Sequence, residues 1–394
     1  MSDTAFRIPR STCKLFGAIK ALGTMKRTAI LVHGPKGCVY HINYILGMRG
    51  DRPAEIYSTC LDEQDIIFGA ERKLVAAIEQ IDRNHRPDLI CVLSCCASGI
   101  IGEDVTSAVR SASISARALA FDSGGFEGDH TGGYSDTLAV ISRSLATTTG
   151  ARIPRSVNIV GLLRAGPDLA ELKHLLSSID VNVQSVFTAG ATPDELSRAG
   201  DASLNLVTCE TSGLEAAKIL EQKFGTPYCV VDLPIGKPAT DRFLNIVDIL
   251  LGGSGGKESP GQDALTFRLP HDFHIALFAG PTRAIAFSKY LHGLNCPPRL
   301  IILDFPPPAP ESIREAAGPG CRILVQPEYH EIQENLELLE IDLILGGMFE
   351  RPYAAMRGIP HIDVMHGSQK TLGYPGAELM ENLLRVAKKH LPVE

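Results

Sequence analysis

Three cysteines stand where a helix begins or a strand ends, and both positions suit metal binding. Cys38 follows a glycine-rich turn that comes directly after an apolar, β-branched run at 28–32. Cys13 opens another helical pattern, and Cys96 follows a buried apolar run at 89–93. The exposed N–H groups of a helix N-terminus favour the thiolate, which is the form of cysteine that binds metal. The pattern therefore predicts that Cys13, Cys38 and Cys96 bind an iron–sulfur cluster.

The spacing of these cysteines leaves alternatives open. A cubane cluster usually takes four thiolates, and no local ferredoxin-type run supplies them here. Cys95 directly precedes Cys96, but adjacent side chains of an extended segment point in opposite directions, so we expect at most one of the two to be a ligand. The thiols can also be unrelated to one another, or they can bind zinc. Zinc sites usually contain a Cys-x-x-Cys pair, and this chain has none.

Composition and charge restrict the class of protein. Of the 394 residues 44% are hydrophobic and 21% charged, as in an ordinary globular protein with two or three domains. The net charge of −7 argues against nucleic acid as a partner. No apolar run approaches the roughly 18 residues that cross a membrane, and the N-terminus lacks the apolar core of a signal peptide. We therefore expect a cytoplasmic protein without a membrane partner.

Strand and helix patterns alternate along the whole chain. Repeated β-α-β units predict an α/β fold with parallel sheets and helices on both faces, in which ligands bind at the carboxyl ends of strands. We expect a helix at 39–48 and a glycine-rich loop at 124–134. The predicted regions are 1–152, 153–251 and 272–394, with a linker at 252–271. The linker lacks the first glycine and the Ser or Thr of a phosphate-binding loop, so no nucleotide site is expected.

Several segments together resemble the nitrogenase component-1 superfamily. They are 13–18, 33–38, 62–69 and 94–104, with 125–128 similar to its Gly-Phe-x-Gly loop. The resemblance implies three Rossmann-like domains and a dimer with 4Fe–4S clusters near the subunit interface. It also implies that electrons come from a separate iron-protein-like reductase, which binds and hydrolyses ATP in place of this chain.

Within this superfamily, the chain is most similar to the catalytic subunits of nickel-sirohydrochlorin a,c-diamide reductive cyclases. The similarity rests on Lys36, Tyr40, His41 and the Cys95-Cys96 pair. It implies a homodimer, an oxidoreductase and cyclo-ligase that reduces a nickel tetrapyrrole and closes a lactam ring, in the biosynthesis of the nickel coenzyme of methanogens. Two other functions stay open. They are reduction of another tetrapyrrole or small molecule, and a non-catalytic scaffold for metallocluster assembly.

The resemblance carries the three cluster ligands of the family onto Cys13, Cys38 and Cys96. For the fourth ligand we prefer Cys60, with Cys95 or a residue of the partner subunit as alternatives. A tetrapyrrole substrate also needs proton donors and groups that bind its carboxylate arms. The candidate catalytic residues are Lys36, His41 and His130, and the candidate binding residues are His33, Tyr40, Glu350 and Arg351.

Two further residues fall close to the positions that anchor the large cofactor in nitrogenase. They are Cys209 and His366. The surrounding sequence does not match that cofactor pocket, so we expect a strand-end thiol and a loop histidine. A second metal site is the alternative.

Overall fold

Three parallel sheets form the framework of the chain. The computed structural model describes residues 12–48, 55–162, 166–256, 269–270, 272–365 and 369–389. All strand pairings in the three sheets are parallel, which confirms the predicted α/β class. Among the described residues, no helix combines the length and the apolar character that crossing a membrane requires.

The first sheet carries the predicted cysteine positions and has the strand order β2-β1-β3-β4. Its strands are β1 (Thr28–His33), β2 (Ile56–Ser58), β3 (Leu89–Ser94) and β4 (Arg117–Phe121). The helices of this region are α1 (Lys14–Leu22), α2 (Lys36–Met48), α3 (Glu63–Phe68), α4 (Glu71–His85), α5 (Cys96–Ile100), α6 (Val105–Ser111) and α7 (His130–Ser144), with a short 3-10 helix at Gly125–Glu127. Strand β3 is buried along its whole length and β1 along nearly all of it, as expected for central strands covered on both faces.

The second sheet has the order β6-β5-β7-β8. Its strands are β5 (Ser156–Leu162), β6 (Asn182–Thr188), β7 (Leu204–Val207) and β8 (Tyr228–Val230). Its helices are α8 (Pro167–Ser177), α9 (Pro193–Ser197), α10 (Glu210–Phe224) and α11 (Lys237–Leu250), with a 3-10 helix at Arg198–Asp201.

The third sheet has the order β11-β10-β9-β12-β13. Its strands are β9 (Ile275–Ala279), β10 (Leu300–Leu303), β11 (Arg322–Val325), β12 (Leu343–Gly346) and β13 (His361–Asp363). Its helices are α12 (Pro281–Gly293), α13 (Pro310–Ala317), α14 (Tyr329–Leu338), α15 (Arg351–Arg357) and α16 (Gly373–Lys389), with a 3-10 helix at Met348–Glu350. Helix α16 packs against α8 and α11, so the C-terminal helix ties the third sheet to the second.

Two helix boundaries near the cysteines differ from the sequence expectation, and one short helix there was not predicted. Helix α2 begins at Lys36, so Cys38 lies inside its first turn. Helix α5 has only five residues, too few for a periodic pattern to reveal it. Helix α7 begins at His130, inside the expected loop, because the carboxylate of Asp129 accepts the N–H groups of Thr131 and Gly132 and caps the helix.

Helix α7 joins the first two sheets into one core. It packs between α1 and α10. Its residues Leu138 and Ile141 are fully buried with Leu220 of α10 in the same apolar cluster, and burial of each such side chain contributes about 1.5–3 kcal/mol. The backbones of α7 and α1 also approach closely, since a Cβ at Gly133 would lie 2.1 Å from the carbonyl oxygen of Lys14. This contact places the start of α1, and with it Cys13, beside the first sheet.

Candidate metal centre

The cysteines collect at the carboxyl edge of the first sheet, where the order of its strands changes direction. Strands β1 and β3 are neighbours, and the chain leaves them toward opposite ends of the sheet, to β2 and β4. Loops that diverge in this way leave a crevice, which is where ligands bind in open parallel sheets. Cys38 lies in the helix after β1, and Cys95 and Cys96 directly follow β3. The thiols after these two strands therefore share one crevice.

The thiols of Cys38 and Cys95 are close enough to affect each other's pKa. Cys95 is 1% exposed, and a Cβ at Gly34 would lie 2.5 Å from its sulfur. The neighbouring Cys38, together with the N–H groups of Ser98 and Ala97, lowers the pKa of Cys95 to about 6. Cys95, burial and the other neighbouring thiols raise the pKa of Cys38 well above its ordinary range.

Gly125 brings Cys13 and Cys96 together. Its N–H donates to Cys96 Sγ at 3.2 Å. A Cβ at Gly125 would lie 3.0 Å from that sulfur and 3.2 Å from the Cβ of Cys13. Cys13 and Cys96 are also near enough to Cys38 to help raise its pKa. The side chains of Cys13, Cys38, Cys95 and Cys96 thus meet in one cluster.

The segment around Cys13 is anchored by contacts that sequence reasoning missed. The backbone of Cys13 pairs with that of Asp129 in an isolated bridge. Lys14 Nζ lies 2.9 Å from Asp136 Oδ2 and 3.4 Å from Glu127 Oε2, and its side chain is largely buried. Burial would lower the pKa of Lys14, but the two carboxylates raise it, so the lysine stays charged. No local signal reveals this pairing, because Glu127 is 113 residues away in the sequence.

Cys60 has a more open position. It is exposed and has a positive φ of 52°. Its carbonyl accepts a hydrogen bond from Lys73 Nζ, which also binds Asp65. The next residue, Leu61, donates its N–H to the carbonyl of Gly34 at 3.1 Å, which attaches this segment to the turn before α2.

The donor set suits an iron–sulfur cluster better than a single ion. In the part of the chain that the structure describes, no three His, Cys, Asp or Glu side chains are arranged to hold one metal ion. A cubane needs a wider arrangement, because each of its four irons takes one thiolate. Cys13, Cys38 and Cys96 approach from three different elements, and the missing side chain of Gly125 keeps the space beside two of them open. The residues present therefore fit the group that the family resemblance implies.

His33 is the last residue of β1 and has no exposed surface. Its Nδ1 lies 3.0 Å from Thr59 Oγ1, and its Nε2 lies 3.6 Å from Glu103 Oε2. Burial lowers the pKa of His33, and the charge of Glu103 opposes this only in part. Glu103, which we did not predict as a site residue, also accepts the N–H of Ala70. His33 is thus held by protein groups and offers no surface to a substrate.

Helix α2 has an exposed stripe that includes two of the predicted residues. Lys36, Tyr40, Tyr44 and Met48 follow one another at intervals of four residues, so they share one face of the helix. His41 is exposed beside them. The structure therefore brings Lys36, Tyr40 and His41 together on the helix that also carries Cys38.

The remaining predicted residues lie elsewhere. His130 is partly buried at the start of α7, and its ring packs edge-on against Tyr134 and Phe305. Glu350 is 5% exposed and accepts the N–H of Gly347 at 2.6 Å. Arg351 is exposed, 3.7 Å from Asp363. Glu350 and Arg351 belong to the third sheet, whereas the cysteines belong to the first.

Cys209 lies between the second and third sheets. It follows β7, and its sulfur accepts a hydrogen bond from Thr282 Oγ1 at 3.6 Å. A cleft of about 550 Å³ opens beside it, lined by residues of both sheets that include Thr208, Glu210 and Thr282. His366 lies outside the described residues.

Exposed apolar side chains surround the cysteine crevice. They lie on α3, on α5 and on the 3-10 helix after β4, and each of these elements follows a strand of the first sheet at its carboxyl edge. We call this set the apolar collar, and its members are Ile66, Ile67, Phe68, Ile100 and Phe126. Exposed apolar groups of this size, gathered around a site, mark an interaction surface.

Fold and site together define a class: a protein of three parallel α/β units whose first unit presents clustered thiols at its strand switch point. The chain belongs to the nitrogenase component 1 type oxidoreductases, whose family model matches residues 13–388.

Similar proteins support the same family. The nitrogenase iron-molybdenum cofactor biosynthesis protein NifE of Clostridium pasteurianum is 28% identical over 94% of this chain and 85% of its own length. The nitrogenase molybdenum-iron protein beta chain of the same organism is 24% identical over 97% of this chain and 93% of its own. The solved structure of nitrogenase Cp1 at pH 6.5 superposes with a TM-score of 0.84 at 21% identity, over 98% of this chain and 94% of that one, which shows the fold.

Proposed function

We propose that this chain is the cluster-binding component of a nitrogenase-like reductive cyclase that acts on nickel-sirohydrochlorin a,c-diamide. The observation that carries the proposal is the convergence of Cys13, Cys38 and Cys96 at the switch point of the first sheet. A bound 4Fe–4S cluster supplies one-electron transfer. A separate ATP-hydrolysing, iron-protein-like reductase supplies the electrons, as the family resemblance implies.

In this proposal the protein's own groups hold and orient the cluster. Cys13, Cys38 and Cys96 are the ligands, and the N–H of Gly125 donates to the sulfur of Cys96. Cys60, or a residue of a partner subunit, is the fourth ligand. Cys60 suits this role because its segment is hydrogen-bonded to the turn that leads to Cys38.

The apolar collar supports a homodimer. Cys13 is exposed, and Cys38 and Cys96 are partly exposed, so a cluster on one chain alone would meet solvent. A second copy that packs on Ile67, Phe68 and Phe126 would bury these side chains and exclude water from the cluster. Because the collar belongs to every copy, a two-fold dimer matches it with itself.

The exposed stripe of α2 supports a large flat substrate with anionic arms. Tyr40 and Tyr44 offer aromatic surface for a macrocycle, and Lys36 offers a cation for a carboxylate. His41 is exposed on the same helix and is the proposed proton donor. His33 and Glu350 are buried and hydrogen-bonded, so in this proposal they position backbone and neighbours and do not contact the substrate.

A scaffold for metallocluster assembly is the second candidate function. Similarity to proteins named for iron-molybdenum cofactor biosynthesis favours it, and the cleft beside Cys209 offers room for a second metal group. A scaffold would bind a cluster without turning over a substrate.

The first test is anaerobic reconstitution, with iron counted per chain and the EPR spectrum of the reduced protein recorded before and after adding nickel-sirohydrochlorin a,c-diamide. We expect a cubane signal that changes with the tetrapyrrole. Cys13→Ser, Cys38→Ser and Cys96→Ser should each lose iron, whereas Cys321→Ser, a half-buried thiol of the third sheet, should keep it. Wild-type protein without iron would overturn the proposal.

Turnover separates the two candidate functions. The cyclase should convert the tetrapyrrole when its ATP-dependent reductase and MgATP are present. A protein that holds the cubane but neither responds to the tetrapyrrole nor consumes it would instead support the scaffold or a different substrate.

A further inference from the structure

The turn that leads into α2 is held by the segment that follows β2. The carbonyl of Gly34 accepts hydrogen bonds from Ser58 Oγ at 2.8 Å and from the N–H of Leu61 at 3.1 Å. The N–H of Gly34 donates to Thr59 Oγ1 at 3.1 Å. Both polar groups of the Gly34 backbone are therefore bound by this segment, and α2, which carries Cys38, begins two residues later.

Gly34 is also packed against the loop that follows β3. A Cβ at this position would lie 2.5 Å from the sulfur of Cys95 and 3.1 Å from its Cβ. The turn thus lies between the two loops that hold candidate ligands, Cys60 after β2 and Cys96 after β3. A shift of Gly34 would move Cys38 relative to both.

The hydroxyl of Thr59 is part of a buried chain of polar contacts. Thr59 is 5% exposed, and its Oγ1 lies 3.0 Å from Nδ1 of the fully buried His33. The other ring nitrogen of His33 faces the carboxylate of Glu103 at 3.6 Å. The proton of the neutral ring therefore lies on Nε2, and Nδ1 accepts the hydroxyl proton of Thr59. The oxygen of Thr59 keeps its lone pairs for the N–H of Gly34, and the hydrogen bonds of such a chain strengthen one another.

Loss of this hydroxyl would leave two buried groups without a partner. They are the N–H of Gly34 and Nδ1 of His33, and an unpaired buried polar group costs free energy. The turn could recover a bond only by shifting. Groups that support a metal ligand from outside the coordination shell set its orientation and adjust the properties of the metal.

We propose that Thr59 is a positioning residue that fixes the Gly34 turn and thereby sets the direction in which Cys38 presents its sulfur to the cluster. This inference rests on the proposed function. His33 and Glu103 contribute by orienting the hydroxyl, which gives the buried histidine of β1 a part in cluster geometry.

The test compares Thr59→Val and Thr59→Ser with wild type and with Thr240→Val. Valine keeps the shape of threonine without the hydroxyl, whereas serine keeps the hydroxyl. Thr240 is a fully buried threonine of α11 whose hydroxyl binds the carbonyls of Pro234 and Gly236, so its variant controls for the loss of a buried hydroxyl. Readouts are iron per chain, the EPR line shape of the reduced protein, the rate of iron release to a chelator and the urea midpoint. Thr59→Ala, which also lacks the hydroxyl, serves if the valine variant does not fold.

We expect Thr59→Val to release iron several times faster than wild type and to give a broadened EPR line, because Cys38 would be held in more than one orientation. Thr59→Ser should stay close to wild type, and Thr240→Val should lower the urea midpoint without either change. Iron release and a line shape like those of wild type in Thr59→Val would overturn the inference. Equal acceleration in Thr240→Val would also overturn it, because iron release would then follow general stability. Both results leave the proposed function intact, whereas wild-type protein without iron would overturn that function and this inference with it.

Discussion

Gly125 donates its N–H to the sulfur of Cys96 at 3.2 Å, and a Cβ at this position would press on Cys96 and Cys13. Glycine suits this position because the atoms of Cys96 and Cys13 lie close to its Cα. Its backbone conformation does not require glycine, since the φ of Gly125 is not in the left-handed region. The hydrogen bond joins the two loops that follow the neighbouring strands β3 and β4. Because Cys13 also lies close to Gly125, this one glycine contacts two of the three predicted ligands.

Gly125→Ala should therefore reduce cluster binding. The added methyl group would press on Cys96 Sγ and on the Cβ of Cys13, and these two thiols would be pushed apart. We expect iron per chain to fall at least severalfold after reconstitution, with little change in the thermal melt. Gly132→Ala is the matched control, because it lies in α7 with open space around its Cα. Equal iron in the two variants would contradict the role given to Gly125.

Lys14→Met should loosen the segment that carries Cys13. The lysine binds Glu127 and Asp136 while its stem is buried, and hydrogen bonds to charged groups are worth about 1.5–3 kcal/mol. We expect a loss of this order in the free energy of unfolding, measured by urea titration, and faster release of iron to a chelator. Lys218→Met, at an exposed position of α10, should change neither quantity. Unchanged iron release in Lys14→Met would show that Cys13 does not depend on this anchor.

Asp168 and Arg283 link the second and third sheets through a largely buried ion pair. Arg283 Nη2 donates to Asp168 Oδ2 at 2.6 Å, and Thr371 donates to the same carboxylate through its N–H and hydroxyl. Asp168→Asn would leave the guanidinium without its counter-charge, which should cost roughly 3 kcal/mol of unfolding free energy at neutral pH. Asp194→Asn, in an exposed pair with Arg198, should cost little.

The same pair makes stability depend on pH in a defined direction. Burial alone would raise the pKa of Asp168, but the charge of Arg283 and the hydrogen bonds from Thr371 hold it below its usual range. The contribution of ionised Asp168 to the free energy of unfolding is fully present above the ordinary pKa of about 3.9. It is lost as pH falls through the lower pKa of the folded state. The difference between wild type and Asp168→Asn should therefore shrink in urea titrations below pH 4. A difference that stays constant would contradict this linkage.

Phe68→Glu should weaken self-association through the apolar collar. Phe68 is its most exposed member, at 83%, and a charge there cannot be buried against a second copy without a partner. Sedimentation velocity should show a dimer for wild type and a larger share of monomer for the variant. Leu338→Glu, which replaces an exposed apolar residue of α14 far along the chain, should leave the dimer unchanged. Wild-type protein that sediments as a monomer would rule out the collar as a dimer interface.

Much of the framework could be predicted because it is encoded locally. Alternating apolar runs and amphipathic stretches indicated parallel α/β units, and the turn before Cys38 marked the end of β1. Short or unusually capped elements could not be predicted in this way. Helix α5 is less than two turns long. The start of α7 depends on a cap at Asp129, which lies in a glycine-rich segment typical of a loop.

The sequence by itself determined the α/β class, the family and the three cysteines at strand and helix ends, because strand periodicity, turn residues and motif order are properties of neighbouring positions. Only the tertiary structure decided which groups come together: Cys38 with the neighbouring thiols, the N–H of Gly125 with Cys96, and Lys14 with Asp136. It also placed His33 in the interior and Lys36 and His41 on the surface. The physical reason is that these contacts join residues far apart in the chain, whose distances depend on sheet order and helix packing and leave no periodic trace.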